Sequence, residues 1–595
     1  MAAGGASLGL GLHSSLSLGK TVENGIKRSP PQVLQGNKFD LDIGYQMVNM
    51  TGKPKMATTI NGSLPAPFLR WKKGERVTLR VKKNLAHDSS IHWHGMILPY
   101  QMDGVPGISF AGIHPGETYE YQFDVNQNGT YWFHSHSGFQ EQTGVYGAIV
   151  IGPKEPDPVA YDRDHVVVLS DWTDEDPVKV YAKLKKLSHY YNFRERTAGD
   201  IWQDVKNKGV SATFLDRAMW NQMRMSETDI AAVTGNIYTY LMNGMTPDDG
   251  CKAMFNMGER VRLRFINASA MTFFDVRVPG LKMTVLASDG QNIEPVSVDE
   301  FRIGVAETYD VVVEPADGSA YTNFAQSIDR TGFTRGVLTS DVTLQADVPP
   351  MDYAPTLGHS DIGMSMAGME HGSMTGMESP AAAMDHGNMG KISAPADNKM
   401  DHSIMGHGSM PMNQNKMDHI KMGQGSKVMD HSKINQGGSK LGRAGYGTNS
   451  EILHVKKEFG PHVDGRAEIM QNGINDPSVG LRDQQQRYGR KVLTNADIRN
   501  LTPTEDTREP EREIQLHLTG NMSRNMWSKK GINFADVQPL KLKYGERVHV
   551  VLVNDTMMTH PIHLQGVWSE LETAEPNYIT RKHTIIVQQA QASVI

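Results

Sequence analysis

The sequence predicts an all-β chain of repeated sandwich or barrel domains, and three observations carry that expectation. The phrase Gly-Glu-Arg-Val occurs three times, beginning at Gly74, Gly258 and Gly545, and each copy runs on into apolar/polar alternation with the period of a strand. Each copy ends at an asparagine suited to a turn: Asn84, Asn267 or Asn554. The flanks are rich in Val, Thr, Tyr and Ile with frequent Gly and Pro, and long amphipathic helical patterns are scarce. Copies so far apart indicate duplicated domains rather than a solenoid. The 595 residues leave room for three or four domains of about 100–200 residues each.

Composition narrows the function. Lys and Arg total 60 against 66 Asp and Glu, a net charge of −6, which argues against a nucleic-acid binder. No run approaches the roughly 18–20 apolar residues of a membrane span. A single cysteine excludes a disulfide framework and a cysteine zinc cluster. The chain holds 35 Met and 23 His, and both side chains suit copper.

In chain order, residues 1–20 are small and apolar and read as part of an export signal without its positive start. The blander reading is a floppy tail. The first β domain is expected over 33–155 and the second over 156–348. A segment over 349–450 then changes composition completely. Its centre, from Met351 to Lys433, is Met, His, Gly, Ser, Asp and Lys with almost no aromatics, so it cannot bury a core and is expected to be disordered. The third domain is expected over 451–595.

Within the low-complexity segment, thioether and imidazole donors cluster at Met384, His386, Met389, Met400, His402, Met405, His407, Met410, Met417, His419, Met429 and His431. Soft thioethers favour Cu(I), and imidazole accepts either oxidation state. A plain solvated linker is the alternative, but it needs no oxidisable methionine. Copper binding is therefore expected there.

The remaining histidines map onto the repeat. His92 follows Gly74 by eighteen residues and His563 follows Gly545 by eighteen, whereas the middle copy has Val276 at that offset. A site shared between the first and third domains is the expectation. His92-Trp93-His94 and His134-Ser135-His136 place pairs of imidazoles on one face of a strand. His560-Pro561-Ile562-His563 forms a third cluster. Imidazole suits copper, zinc, iron and nickel alike; metal-free core or surface histidines are the alternative.

These motifs carry a family resemblance. IHWHG, YWFHSH and THPIHLQG resemble the first three copper signatures of the multicopper oxidases. NGMTPDDG, LTGNMSRNMW and the MDHS-type repeats resemble one subgroup, the periplasmic copper-resistance oxidases of the CopA/PcoA type. The resemblance runs from Val33 to Val587 and implies three cupredoxin-like Greek-key domains. It implies oxidation of Cu(I), and of phenols, with dioxygen reduced to water. It implies that His92 and His563 are type 2 copper ligands, that His94, His134 and His136 are type 3 ligands, and that His560 is a type 1 ligand. Asp103, in MDGVPG, resembles an acid that the family places for proton delivery; a turn aspartate before Gly104 is the alternative. Copper ions and dioxygen are the implied partners, with other periplasmic copper-resistance proteins as further candidates. No nucleic acid is implied, and a periplasmic monomer is expected.

The chain departs from that pattern in two places. Gln565 stands where the third signature has its last histidine, removing one type 3 ligand. The fourth signature, which supplies the type 1 cysteine, is absent, and Cys251 in DDGCKAMF has no histidine beside it and reads as an incidental thiol. The expectation is a C-terminally truncated, incomplete third domain with an unpaired edge, and an oxidase impaired for want of a type 1 site. Two other readings stand beside the oxidase: a non-catalytic periplasmic copper-sequestering protein, and a non-functional truncated product.

Overall fold

A computed structural model describes residues 30–364, 443–467, 470–531, 540–573 and 575–595. The Met/His-rich donors from Met384 to His431 and residues 1–20 lie outside the described residues.

Strands dominate, and each Gly-Glu-Arg-Val copy builds the same local unit. The strands Arg76–Lys83, Val261–Asn267 and Val548–Asn554 each follow a glycine with positive φ: +92° at Gly74, +80° at Gly258 and +79° at Gly545. A Cβ at any of the three would meet nothing within 4 Å, so backbone conformation rather than crowding selects glycine there. Each of these strands pairs in parallel with an earlier strand, namely Lys38–Asn49, Arg163–Thr173 or Arg512–Asn521. Each pairs antiparallel on its other side with a later one: Thr118–Asp124, Thr308–Val313 or Gln591–Val594. The terminal asparagines close the following loops. Asn267 donates its amide to the Thr272 and Ile303 carbonyls at 2.8 and 3.1 Å, and Asn554 donates to those of Met558 and Val587 at 2.8 and 3.0 Å.

In the first unit a four-stranded and a five-stranded sheet enclose a core rich in aromatic rings, among them Trp71, Trp93, Tyr121, Phe123 and Phe133. The five-stranded sheet ends on Gly129–His134 and His92–His94, which places the first two histidine pairs at one sheet edge. The middle unit packs a six-stranded against a five-stranded sheet. Its Val276, at the offset where the outer copies carry histidine, is fully buried between Phe301 and Ala325 on the neighbouring strands. Hydrophobic side chains thus occupy the middle unit where the other two present metal donors.

The structure also holds what the alternation did not announce. Three helices, Pro177–Leu184, Ala198–Lys208 and Val210–Gln222, are inserted between the strands Arg163–Thr173 and Tyr238–Met242. The second starts from a reciprocal cap in which Thr197 and Asp200 bond each other's backbone amides. Residues 478–500 lie along the middle sheets: Arg302 donates to Ser478 and Val479, and Glu300 pairs with Arg490 at 3.1 Å. No helix among the described residues is long and apolar enough to cross a membrane.

The third unit covers one edge of its larger sheet. Gln591–Val594 lies beside Val548–Asn554 and is itself flanked by Gln471–Asn472, while His560–Ile562 with Ile585–Val587 and Ser569–Leu571 with Thr580–Lys582 form separate two-stranded ladders among the described residues. Ile595 closes that ladder through two backbone bonds to Val550, of 2.8 and 3.0 Å. Strand pairing uses backbone groups, so these residues complete a ladder whatever their side chains. The apolar cluster beneath, formed by Leu518, Val550, Leu552, Leu571, Ile585, Val587 and Ile595, contains no aromatic ring.

Buried charge supplements that small core. His549, on Val548–Asn554, bonds Glu572 at 2.7 Å and faces Glu513 at 3.8 Å. Burial alone would lower its pKa, but hydrogen bonds to Glu513 and Glu572 raise it to about 9. A pKa raised on folding contributes stability that is complete below the free imidazole value and is lost as pH rises through the folded one. We expect the melting temperature to fall between about pH 6.5 and 9, and His549→Gln to flatten that part of the profile. A melting curve series across the range checks both.

Candidate metal centre

The antiparallel pairing of His92–His94 with Gly129–His134 sets His92 directly opposite His134 and His94 opposite Trp132. The next residues carry the chain to His136, whose backbone amide bonds Ser90 Oγ at 3.0 Å. The His92 ring centroid lies 5.3 Å from that of His94, 5.5 Å from His134 and 5.0 Å from His136. Trp132 stacks on His134 at 4.2 Å and walls the group from one side.

The third unit closes the other side. The strand His560–Ile562 pairs with Ile585–Val587, and this brings His563 and His583 together at the turn-side end of the pair. His563 stacks on His94 with ring centroids 3.9 Å apart, and His583 lies 4.9 Å from the same ring. Ligand atoms of His92, His94 and His563 all lie within 4.8 Å of one another, as do those of His92, His134 and His136. His92 belongs to both groups, so five imidazoles form one continuous cluster at the junction of the first and third units, and His583 adds a sixth ring against His94.

The hydrogen bonds define which nitrogens are free. His92 donates Nδ1–H to the Asp103 carbonyl at 2.7 Å, and His563 donates Nδ1–H to the His583 carbonyl at 2.6 Å. Their Nε2 atoms are buried without partners among the described residues, as is Nε2 of His583. A ring that donates one nitrogen to a backbone carbonyl and leaves the other unpaired in the interior has the arrangement of a metal ligand. Burial first, and the neighbouring imidazoles second, hold His92 and His94 well below the usual histidine range. Burial also pushes His563 and His583 down to about 4. The rings are therefore uncharged at neutral pH, the form that binds copper. The donor set fits copper ions.

Gly95 admits the third unit to this junction. Its φ is +80°, and a Cβ there would stand 2.4 Å from His583 Cδ2. Glu141 Oε2 lies 3.2 Å from His134 Nδ1. Asp103 is buried, its Oδ1 is 3.5 Å from His92 Nδ1 without a hydrogen-bond partner among the described residues, and burial raises its carboxyl to about 6.

The other sequence-stated residues fall elsewhere. Gln565 points its amide at His136, Nε2 to Nε2 at 3.4 Å, so it reaches the cluster's rim with a neutral side chain. His560 stands apart from both histidine groups; its Nε2 is 2.6 Å from Thr556 Oγ1 and its ring lies edge-on to Trp527 at 4.6 Å. Cys251 lies on the strand Cys251–Met254 of the middle unit, its sulfur against Gly336, and burial pushes the thiol up to about 12. It joins no convergent group of donors among the described residues. His583 was not singled out from the sequence. It is a lone histidine in Arg-Lys-His-Thr, with no spacing partner, and only the fold brings it to the cluster.

The chain is similar to known proteins along most of its length. Three multicopper oxidase family models match residues 42–156, 163–343 and 507–595. Copper resistance protein A of Escherichia coli is 53% identical over 93% of this chain and 87% of its own length. A copper resistance protein A homolog of Pseudomonas syringae pv. tomato is 53% identical over 93% of this chain and 86% of its own. Among solved structures, Fet3p, a multicopper oxidase that functions in iron import, superposes with a TM-score of 0.54 at 16% identity, covering 94% of this chain and 85% of that one.

Replacing Gly95 with Ala imposes the strained φ and the clash with His583 together. We expect Gly95→Ala to cost about 1–3 kcal/mol of stability and to lower copper uptake at the junction. Chemical denaturation and metal analysis of the same preparation check the two effects.

Proposed function

The chain belongs to the multicopper oxidase family, copper-dependent oxidoreductases, and on that premise we propose that it acts in copper resistance in the periplasm, with Cu(I) and dioxygen as substrates. The observation that carries this reading is the convergence of His92, His94, His134, His136 and His563 on one junction, where ring nitrogens of His92, His134 and His563 have no hydrogen-bond partner among the described residues. Under this reading His92 and His563 hold a type 2 copper, while His94, His134 and His136 serve a type 3 pair and Gln565 replaces one further imidazole. His560 is assigned to a type 1 position. Copper bound by these residues would supply one-electron chemistry toward dioxygen.

The chain's own residues would orient and protonate. The Asp103 and His583 carbonyls fix the His92 and His563 tautomers. Trp132 and the stacked rings exclude water from one side. Four Cu(I) give up one electron each, one dioxygen takes four electrons and four protons, and two waters result. The buried Asp103 carboxyl, raised to about 6, is placed to hold a proton beside His92.

A second reading rests on a specific observation. These residues contain one cysteine, and it lies in the middle unit rather than beside His560. A blue-copper site needs a thiolate with two imidazoles. The 595 residues by themselves would then bind copper, at the junction and through the Met/His-rich segment, without oxidase turnover.

Visible absorption, metal content and oxygen uptake with Cu(I), measured on one copper-loaded preparation, separate the readings. On the oxidase reading we expect bound copper and oxygen uptake that both fall in His94→Ala and His134→Ala; on the sequestration reading the copper falls in the same variants, with no intense blue thiolate band and no turnover. An intense blue band with turnover would sink the sequestration reading. Unchanged copper content in both variants would sink the assignment of the junction.

A further inference from the structure

A second set of donors converges inside the third unit, apart from the histidine junction. His517 lies on the strand Arg512–Asn521, and Asp555 follows the parallel strand Val548–Asn554, so that adjacent strands bring them together. The segment 443–467 adds His454 and, at the end of the single turn Lys456–Glu458, Glu458. His454 Nε2 is 2.7 Å from Asp555 Oδ1, and His517 Nδ1 is 2.7 Å from Asp555 Oδ2. Glu458 Oε2 faces the same His517 nitrogen at 3.6 Å. One ligand atom from each of the four residues lies within 4.8 Å of all the others. His517, Glu458 and Asp555 are 1%, 0% and 3% exposed.

Hydrogen bonds account for only part of this cluster. Asp555 is matched, since its Oδ1 also accepts the Ala467 amide at 3.2 Å. Glu458 is not. Its Oε2 accepts the Val455 amide at 3.2 Å, while Oε1 is buried without a partner among the described residues. A structural network pinning 443–467 to the sheet would need one acid, and the desolvation cost of a second buried carboxylate is met here only by one backbone amide and a histidine nitrogen at 3.6 Å. A divalent cation would cancel the two carboxylates. Two imidazoles and two carboxylates are nitrogen and oxygen donors without sulfur, which suits zinc(II) or copper(II) and disfavours Cu(I).

We propose that His454, Glu458, His517 and Asp555 form a mononuclear site for a divalent transition cation of the zinc(II) or copper(II) class, which ties the 443–467 segment to the third sheet. Its residues are separate from those of the histidine junction.

The test uses the full chain, stripped with a chelator and reloaded with zinc alone, and in a parallel arm with copper(II) alone. Metal per chain is then measured for the unchanged protein and for Glu458→Gln and His517→Gln. The expected result is one metal ion fewer per chain in each variant, in whichever arm fills the site. Equal metal content in all three proteins, for both ions, overturns the proposal. Should the variants fail to fold, crystals of the unchanged protein soaked in zinc, and separately in copper(II), decide it by anomalous diffraction. A peak between the four side chains supports the site. Peaks at the histidine junction with none here overturn it.

Discussion

The buried charge cluster of Lys582, Asp289 and Glu307 is the contact on which the metal centre depends. Lys582 belongs to the third unit and is 1% exposed, with its ammonium 3.1 Å from Asp289 Oδ2 and 3.1 Å from Glu307 Oε1 of the middle unit. Burial works against that charge, but the two carboxylates outweigh it and raise the lysine pKa. Asp289 also accepts the Thr584 amide at 3.2 Å and the Thr308 amide at 3.0 Å. The residue between Lys582 and Thr584 is His583. A buried ion pair of this kind adds little net stability, because desolvation offsets attraction, yet misregister would strand a charge in the interior. It therefore fixes position, and through the His583 carbonyl it sets the His563 ring against His94.

That arrangement gives the middle unit a purpose although it contributes no imidazole to the junction. Its strands carry Val276 and other core side chains where the outer units carry donors. On the other flank, Asp310 accepts from Thr130 Oγ1 at 3.0 Å, on the strand that ends in His134. Both histidine-bearing units are thus bonded to the middle unit. The cost falls on the donors, since six imidazoles crowd into one interior space, and four of their nitrogens, Nε2 of His92, His563 and His583 and Nδ1 of His134, are left without a hydrogen-bond partner among the described residues. Such a site is poised for a cation and is poorly satisfied without one.

Much of this was legible in the residues, and the reasons differ by element. The Gly-Glu-Arg-Val strands were readable because alternation and a left-handed glycine are local requirements. His92, His94, His134 and His136 were readable because a strand puts alternate residues on one face. His583 was not, because it has no neighbour in sequence with which to form a pattern. The helices from Pro177 to Gln222 were missed because short segments with local caps leave little periodic signal beside strong strand repeats. The closing strand Gln591–Val594 was missed because backbone pairing tolerates unfamiliar side chains.

By itself, the sequence determined the all-β class, the threefold repeat, the kind of donor and the absence of a second cysteine, since each is a property of composition or of near neighbours. Only the tertiary structure decided which donors meet. It joined His92 and His94 to His563 and His583 across hundreds of residues, set His560 apart, and gathered His454, Glu458, His517 and Asp555 into a cluster that no spacing announces. The reason is physical: a ligand set is defined by distances of a few ångströms between side chains, and those distances are fixed by how sheets and units pack.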